Sequence, residues 1–300
     1  MDHNKLHIPV LLHESIDSLQ LTRGDIVVDC TVNRGGHAEK IAQLIGETGT
    51  LIIFDLDKQA LDFSTARLQN LPNAPKIIPI HSNYRTIKAQ LAERGIEQVD
   101  AIFADLGLSS QELDVSGRGF SFQRNEPLHM TFQSEVNQDT FTAKDLLNNL
   151  SADLIANIFR AYGDEPQAKK IAEKIVEMRA AKPIETTQDL TDAVMAAVGR
   201  KPWQKSHPAT RVFQAIRIAV NDEYEGIKEL LNDGFQILKQ GGRFSIITFH
   251  SGEDRIVKNF FKEKFANQES TKPLKTKPTD IEIKNNPRSR SAILRTITKI

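Results

Sequence analysis

Three short apolar runs that each close on an aspartate constrain this chain most. Ile26-Val27-Val28 stops at Asp29, Leu51 to Phe54 at Asp55, and the run inside "VDAIFAD" at Asp105. Behind the first, the turn Gly35-Gly36-His37 leads into Ala38, Ile41, Ala42 and Leu44 at spacings of three and four, a helical period. Behind the second, Ala60, Leu61 and Leu68 do the same, and "KIIPIHSNY" adds another short strand before Asp105 is reached. Strands alternating with helices predict an α/β fold with a mostly parallel sheet and crossover helices.

The alternation is interrupted once. From about Phe141 to Val198 strand signals cease and helices follow one another, one of them opening on "TTQDL", where Thr186 and Asp189 have capping-box spacing. "ATRVFQAIRIAVNDEYEGIKELLNDGFQIL" then reads as a helix ended by Gly241-Gly242, and "RFSIITFHS" as a strong strand. Ser270 to Asn286, rich in Lys, Pro and Thr, reads as an exposed loop, and "SAILRTITKI" as a last strand. The expected organisation is a core of residues 1–138 and 207–300 around an all-helical insertion, 139–206.

Charge is balanced, 39 Lys and Arg against 39 Asp and Glu, so no global field announces nucleic acid or membrane. Its distribution is uneven: from Arg255 to Ile300 there are twelve Lys or Arg and four Asp or Glu. A basic carboxyl-terminal face and a solvated tail with incidental lysines both fit that count. Cys30 is the one cysteine, which excludes an internal disulfide and a thiolate cluster and fits a reducing compartment. The start "MDHNKLHIPVLL" lacks an export pattern and no run reaches the apolar length of a membrane span, so a cytoplasmic protein is expected. His37, His81, His129, His207 and His250 lack zinc-site spacing, and neither a Walker A loop nor a hydrolase elbow G-x-S-x-G occurs. No metal is expected.

In open α/β sheets ligands bind beyond the carboxyl ends of the strands, where the three aspartates lie. An acid ending the second strand, about twenty residues past a glycine turn, suits Asp55 to accept both hydroxyls of a ribose. Each aspartate also has a structural reading, since Asp after a strand is a common helix N-cap. The G-x-G-x-x-G cradle of a dinucleotide is absent, with Asn33-Arg34 in the loop. S-Adenosylmethionine, a sulfonium that needs no phosphate cradle, fits better than NAD.

Longer strings narrow the reading further. "HIPVLLHESI" (7–16), "GGH" (35–37), "DLGLSS" (105–110), "RGFSF" (118–122), "HPATRVFQAIRIAVNDE" (207–223), "TFHSGEDRIVK" (248–258) and "NPRSRSAILR" (286–295) occur in order along nearly the whole chain. Together they resemble the bacterial ribosomal RNA small subunit methyltransferase H family, cytosine-N4 methyltransferases of 16S rRNA. The resemblance implies a class I methyltransferase fold with a helical insertion, S-adenosylmethionine as donor, and a decoding-region cytidine as acceptor. The implied partner is small-subunit rRNA or a 30S-type particle. Oligomeric state stays open, with a homodimer among the alternatives.

Carried over by position, the resemblance implies cofactor contacts at Gly35, Gly36, His37, Asp55 and Asp105, with Tyr84 covering the adenine. The family's glutamine in D-L-G-V-S-S-x-Q-L-D becomes Glu112 here, which can accept a cofactor hydrogen bond and cannot donate one. Other departures gather in the same strings. D-G-T-F-G-x-G-G-H becomes "DCTVNRGGH", with Cys30, Val32 and Asn33. P-L-D-M-R-M-D becomes "PLHMTFQ", with His129, Thr131 and Gln133, and Gly252 replaces leucine in "FHSGEDR".

For catalysis, Asp105 is the expected acceptor for the cytosine amine protons, with a purely cofactor-binding Asp105 as the competing reading. His250, closing the fifth strand, is expected to orient the cytidine or take up the released proton, and a packed structural histidine is its alternative. Arg118, Arg211, Arg217, Arg288 and Arg290 are the RNA-binding candidates, with Phe120 and Phe122 available for stacking. Arg211 and Arg217 read equally as partners of acids, and the two phenylalanines equally as core. A catalytically weakened RNA-binding or ribosome-assembly factor on the same fold is the second functional reading.

Overall fold

The structure is a computed structural model that describes residues 9–107, 117–133, 136–200 and 206–300. The chain divides into two compact units, Met1–Gly107 with Tyr224–Ile300, and Leu108–Glu223. The helical unit is therefore wider than the expected insertion 139–206. Phe120, Leu128 and Met130 on one side and Val212, Phe213 and Ile216 on the other are buried in the same core as the intervening helices, which draws both flanks into that unit.

The first unit is built on seven strands: β1 (Ile26–Asp29), β2 (Thr50–Asp55), β3 (Lys76–His81), β4 (Val99–Asp105), β5 (Leu238–Thr248), β6 (Leu274–Thr276) and β7 (Ile293–Thr298). Their order is β3-β2-β1-β4-β5-β7-β6. The first five pair in parallel, and β7 runs antiparallel to both β5 and β6. This is the α/β, class I methyltransferase architecture implied by the resemblance. The central strands are apolar almost throughout, as buried parallel strands must be, with Val28, Ile52, Phe54, Ile102 and Ile246 all buried in one cluster. Pro79, which cannot donate to a ladder, lies on the edge strand β3.

Helices α1 (Leu12–Leu19), α2 (Gly36–Ile45), α3 (Lys58–Gln69) and α4 (Ile87–Ala92) accompany the first strands. On α2, Ala38, Ile41, Ala42 and Ile45 face inward at helical spacing; Leu44, expected with them, is exposed. Asp57 caps α3 by accepting from the N–H groups of Gln59 and Ala60, which leaves Asp55 out of the capping role.

The second unit packs α5 (Ala143–Asn149), α6 (Ala152–Gly163), α7 (Ala168–Arg179), α8 (Thr187–Val198) and α9 (Ala209–Asn221) around a core of its own. Thr186 and Asp189 form the expected capping box. The single long helix read across 209–238 is two: Asp222 adopts a left-handed conformation, φ 50°, between α9 and α10 (Glu223–Ile237). Gly241-Gly242 lie inside β5 rather than at a helix end, where the pairing with β4 shifts register between Val99 and Ala101.

After β5 comes α11 (Ser251–Ala266), and 270–286 is more ordered than a loop. It holds β6 and α12 (Asp280–Asn285), because β6 completes its hydrogen bonds on β7 and Thr279 caps α12. Among the described residues no helix is long and apolar enough to cross a membrane.

Candidate active site

The carboxyl ends of β1, β2 and β4 bring Asp29, Asp55 and Asp105 to one edge of the sheet. Asp29 is 1 % exposed and accepts a short-range bond from the Thr31 N–H, 3.1 Å. Burial, against the Thr31 hydrogen bond and reinforced by the Asp55 charge, pushes its carboxyl up to about 7. Asp55 instead organises the turn: its two oxygens accept from the N–H of Asn33 at 2.8 Å and of Asp57 at 2.9 Å. A carboxylate oxygen accepts twice, so Asp55 keeps acceptor capacity for ribose hydroxyls.

Asn33 has φ 48°, a left-handed conformation that asparagine tolerates better than most side chains. The glycine missing from the loop is thus replaced by a residue able to hold the same backbone. Cys30 sits further back, buried, its N–H bonded to the Phe103 carbonyl as β1 runs out, so its thiol lies in packed protein and burial holds its pKa well above the usual range.

The string Gly35-Gly36-His37 is packed against the amino-terminal segment. A Cβ on Gly36 would overlap the ring of Pro9. His37, 7 % exposed, holds its Nε2 3.0 Å from the Val10 carbonyl and its ring centroid 4.6 Å from that of Phe103. Its side chain is therefore engaged by protein on two sides.

Asp105 is 8 % exposed. Thr31 Oγ1 accepts from its N–H at 2.7 Å, which ties the ends of β1 and β4 together. Oδ2 lies 4.0 Å from His37 Nδ1, and Oδ1 is buried with no hydrogen-bond partner. Burial drives this carboxyl up to about 7, opposed by the Gly107 N–H and assisted by the charges of Asp29 and Glu253. A buried, unsatisfied acceptor at the end of a central strand marks where a donor group belongs.

His250 does not stand free at this edge. It is the N-cap of α11, its Nδ1 accepting from the Glu253 N–H at 3.4 Å, and its Nε2 lies 3.0 Å from Glu253 Oε1. Glu253, 1 % exposed, accepts in return from the N–H of Phe249 at 2.7 Å. His250 thus caps the helix through Nδ1, while its Nε2, although close to Glu253, is buried with no hydrogen-bond partner, as Asp105 Oδ1 is. Above them the Tyr224 hydroxyl fills the space over Gly252. Tyr84 lies just past β3, half-buried, with its ring 3.6 Å from where a Gly226 Cβ would stand.

Thr31, Glu253 and Tyr224 were absent from the sequence expectations. The threonine inside the "DCT" string and the acid three residues after a strand-ending histidine were the available signals. Glu112 lies outside the described residues.

The arginines separate by environment. Arg217, in the helical unit, makes a bidentate pair with Glu223 at 2.7 and 2.8 Å, both side chains largely buried. Arg118 donates from Nη1 to the carbonyls of Thr131, Phe132 and Gln133 and lies over the Phe120 ring. Both are engaged in holding their own unit rather than displayed for phosphate. Phe120 is core, and Phe122 stacks on His207. Arg211 is exposed, with one bond to the Asp164 carbonyl. Arg288 and Arg290, on the turn Pro287–Ser291 of the first unit, are exposed.

A ribosomal RNA small subunit methyltransferase H of Clostridioides difficile (strain 630) is 40% identical over 312 aligned positions, covering 98% of this chain and 99% of the relative. The protein of the same name from Desulfotalea psychrophila is 39% identical and spans 100% of both chains. The one from Clostridium botulinum (strain Loch Maree / Type A3) is 42% identical over 86% of this chain and 81% of its own. The family model described as the MraW methylase family matches residues 4–300, and the chain belongs to that family.

Proposed function

We propose that the protein methylates the exocyclic N4 amine of a cytidine in the decoding region of 16S rRNA, with S-adenosylmethionine as donor. Its substrate is small-subunit rRNA within a 30S-type particle, in the cytoplasm, where such particles are found. Membership of the family and full-length relatives with that name support the reaction class. The observation that carries the acceptor chemistry is the buried Asp105 Oδ1 without a hydrogen-bond partner.

When bound, S-adenosylmethionine supplies a methyl carbon already activated by a sulfonium. The residues present fit it. Asp55 would accept from ribose hydroxyls, the backbone of the Asn33 to His37 turn would hold the donor, and Tyr84, just past β3, would cover the adenine. Negative charge at this edge, carried by Asp55 and by the ionised fraction of Asp29 and Asp105, suits a cationic donor better than a pyrophosphate.

The acceptor amine is a poor nucleophile, because its lone pair is shared with the pyrimidine ring. A hydrogen bond from one amine N–H to Asp105 Oδ1 withdraws that hydrogen from the ring plane and turns the lone pair toward the methyl carbon, and the same carboxylate takes the proton that the amine gives up as its N–C bond forms. Burial strengthens the bond, and holding the amine in one orientation supplies the rest of the rate gain. His250 and Glu253 keep the end of β5 in place. Exposed Arg288 and Arg290 hold RNA phosphates, and Arg211 adds a contact from the helical unit.

Purified protein, labelled S-adenosylmethionine and undermethylated small ribosomal subunits test this directly, with the product mapped by nuclease digestion and mass spectrometry. Methyl on a cytidine N4 is the expected outcome. Cofactor binding with no transfer would favour the RNA-binding or assembly factor.

A further inference from the structure

Thr279 and Glu282, at the start of α12, have capping-box spacing, as Thr142 with Asp145 and Thr186 with Asp189 do. In those two pairs the acid reaches back to its own helix cap. In α12, Thr279 Oγ1 accepts from the Glu282 N–H at 3.2 Å, yet the Glu282 carboxylate leaves its own helix. Its Oε1 accepts from the N–H of Leu11, 271 residues away, at 2.7 Å.

Leu11 needs that acceptor. It is the fully buried N-cap of α1 and holds φ 52°, a left-handed conformation that a leucine side chain disfavours. Its carbonyl accepts from the Ser15 N–H inside α1 at 2.8 Å, whereas an N-cap N–H lies outside the helical ladder and must find its partner elsewhere. A carboxylate supplies that partner through a charge-assisted bond. The turn at Leu11 lays the two preceding residues on the start of α2. A Cβ on Gly36 would stand 2.3 Å from Pro9 Cγ, and the Val10 carbonyl lies 3.0 Å from His37 Nε2.

We propose that Glu282 is a positioning residue for donor binding: by holding Leu11 it seats Pro9 and Val10 against the turn Gly35-Gly36-His37, so the carboxyl-terminal segment shapes the donor site through the amino-terminal one. The proposal rests on the methyltransferase reading above. A carboxylate that merely caps α12 needs its charge and not its length. One that holds Leu11 needs its length and an acceptor oxygen.

Two variants separate these roles. Glu282→Asp keeps the charge and can close a box on Thr279, as Asp145 and Asp189 do on theirs, but is one methylene short of Leu11. Glu282→Gln keeps the length and an acceptor oxygen and loses the charge. Affinity for S-adenosylmethionine is measured by isothermal titration. Amide exchange without donor is followed at Gly35 and Glu39, whose N–H groups bond to the Val32 and Gly35 carbonyls, and compared with Ile52 and Ile53 in the buried strand β2. In Glu282→Asp, affinity should fall roughly five- to tenfold and exchange at Gly35 and Glu39 should accelerate about tenfold, with Ile52 and Ile53 unchanged. Glu282→Gln should stay within about threefold of wild type in both readouts. Wild-type affinity in Glu282→Asp, or an equal loss in both variants, would overturn the proposal. So would acceleration spread evenly over turn and strand, the mark of general destabilisation. Failure of the wild-type protein to bind S-adenosylmethionine would sink the methyltransferase reading and the donor role of Glu282 with it, whereas the exchange pattern needs no donor and reports the tie by itself.

Discussion

The hydroxyl of Tyr224 rests against Gly252, in the space that any side chain at position 252 would occupy. The resemblance places a leucine there, so this glycine is one half of a fitted pair. Gly252→Leu should force the tyrosine out and destabilise the fold by about 1–3 kcal/mol, the usual scale of overpacking. Combining it with Tyr224→Ala should recover much of that loss. Urea denaturation of the single and double variants measures the coupling, and additive losses would mean that the two residues do not share the space.

Burial of Asp29 has a pH signature. Its folded carboxyl sits near 7, against about 3.9 in an unfolded chain. Between those values the folded state holds a proton that the unfolded state has released, so the contribution of Asp29 to stability falls as pH rises from about 4 to about 7 and stays low above. Asparagine keeps the acceptor for the Thr31 N–H and has no charge to bury. Asp29→Asn should therefore be near neutral at pH 4 and stabilising by about 1–3 kcal/mol at pH 8. A gain that is equal at both pH values would show Asp29 to titrate normally.

Asp55 is expected to matter twice, for the turn and for the donor. Asp55→Ala removes the acceptor of the Asn33 and Asp57 N–H groups together with any ribose bond. Affinity for S-adenosylmethionine should fall at least tenfold, on the order of 1.4 kcal/mol or more. Isothermal titration with the donor measures it, and unchanged affinity would refute the ribose assignment.

The arginines should divide by what they hold. Arg217→Ala leaves Glu223 largely buried without its bidentate partner and should cost a few kcal/mol of stability. Replacing Arg288 and Arg290 by alanine should weaken RNA binding and flatten its dependence on salt by about two counterions. Filter binding across a salt series alongside thermal melts separates the two behaviours. A wild-type salt slope in the double variant would move the phosphate contacts to other residues.

Much of the fold was legible because its signals are local and periodic. The runs ending at Asp29, Asp55 and Asp105, the helical spacing of Ala38, Ile41 and Ala42, and the Thr186 capping box each depend on neighbours a few residues away. What was misread depends on distant partners. β6 exists because β7 offers it an edge, and the helical unit reaches from Leu108 to Glu223 because both its flanks bury apolar side chains in the same core.

The site divides in the same way. By itself the sequence determined which residue types close the strands, since acids after apolar runs are a matter of order along the chain. Only the tertiary structure decided which of them are available. Arg217 carries suitable chemistry in any linear reading, yet folding commits it to Glu223, while His250 caps a helix through Nδ1 and keeps a buried Nε2 without a hydrogen bond. Asp105 is singled out because folding buries it beside Asp29 and Glu253 and leaves Oδ1 without a partner, and the free energy of a buried charge is set by what surrounds it in space.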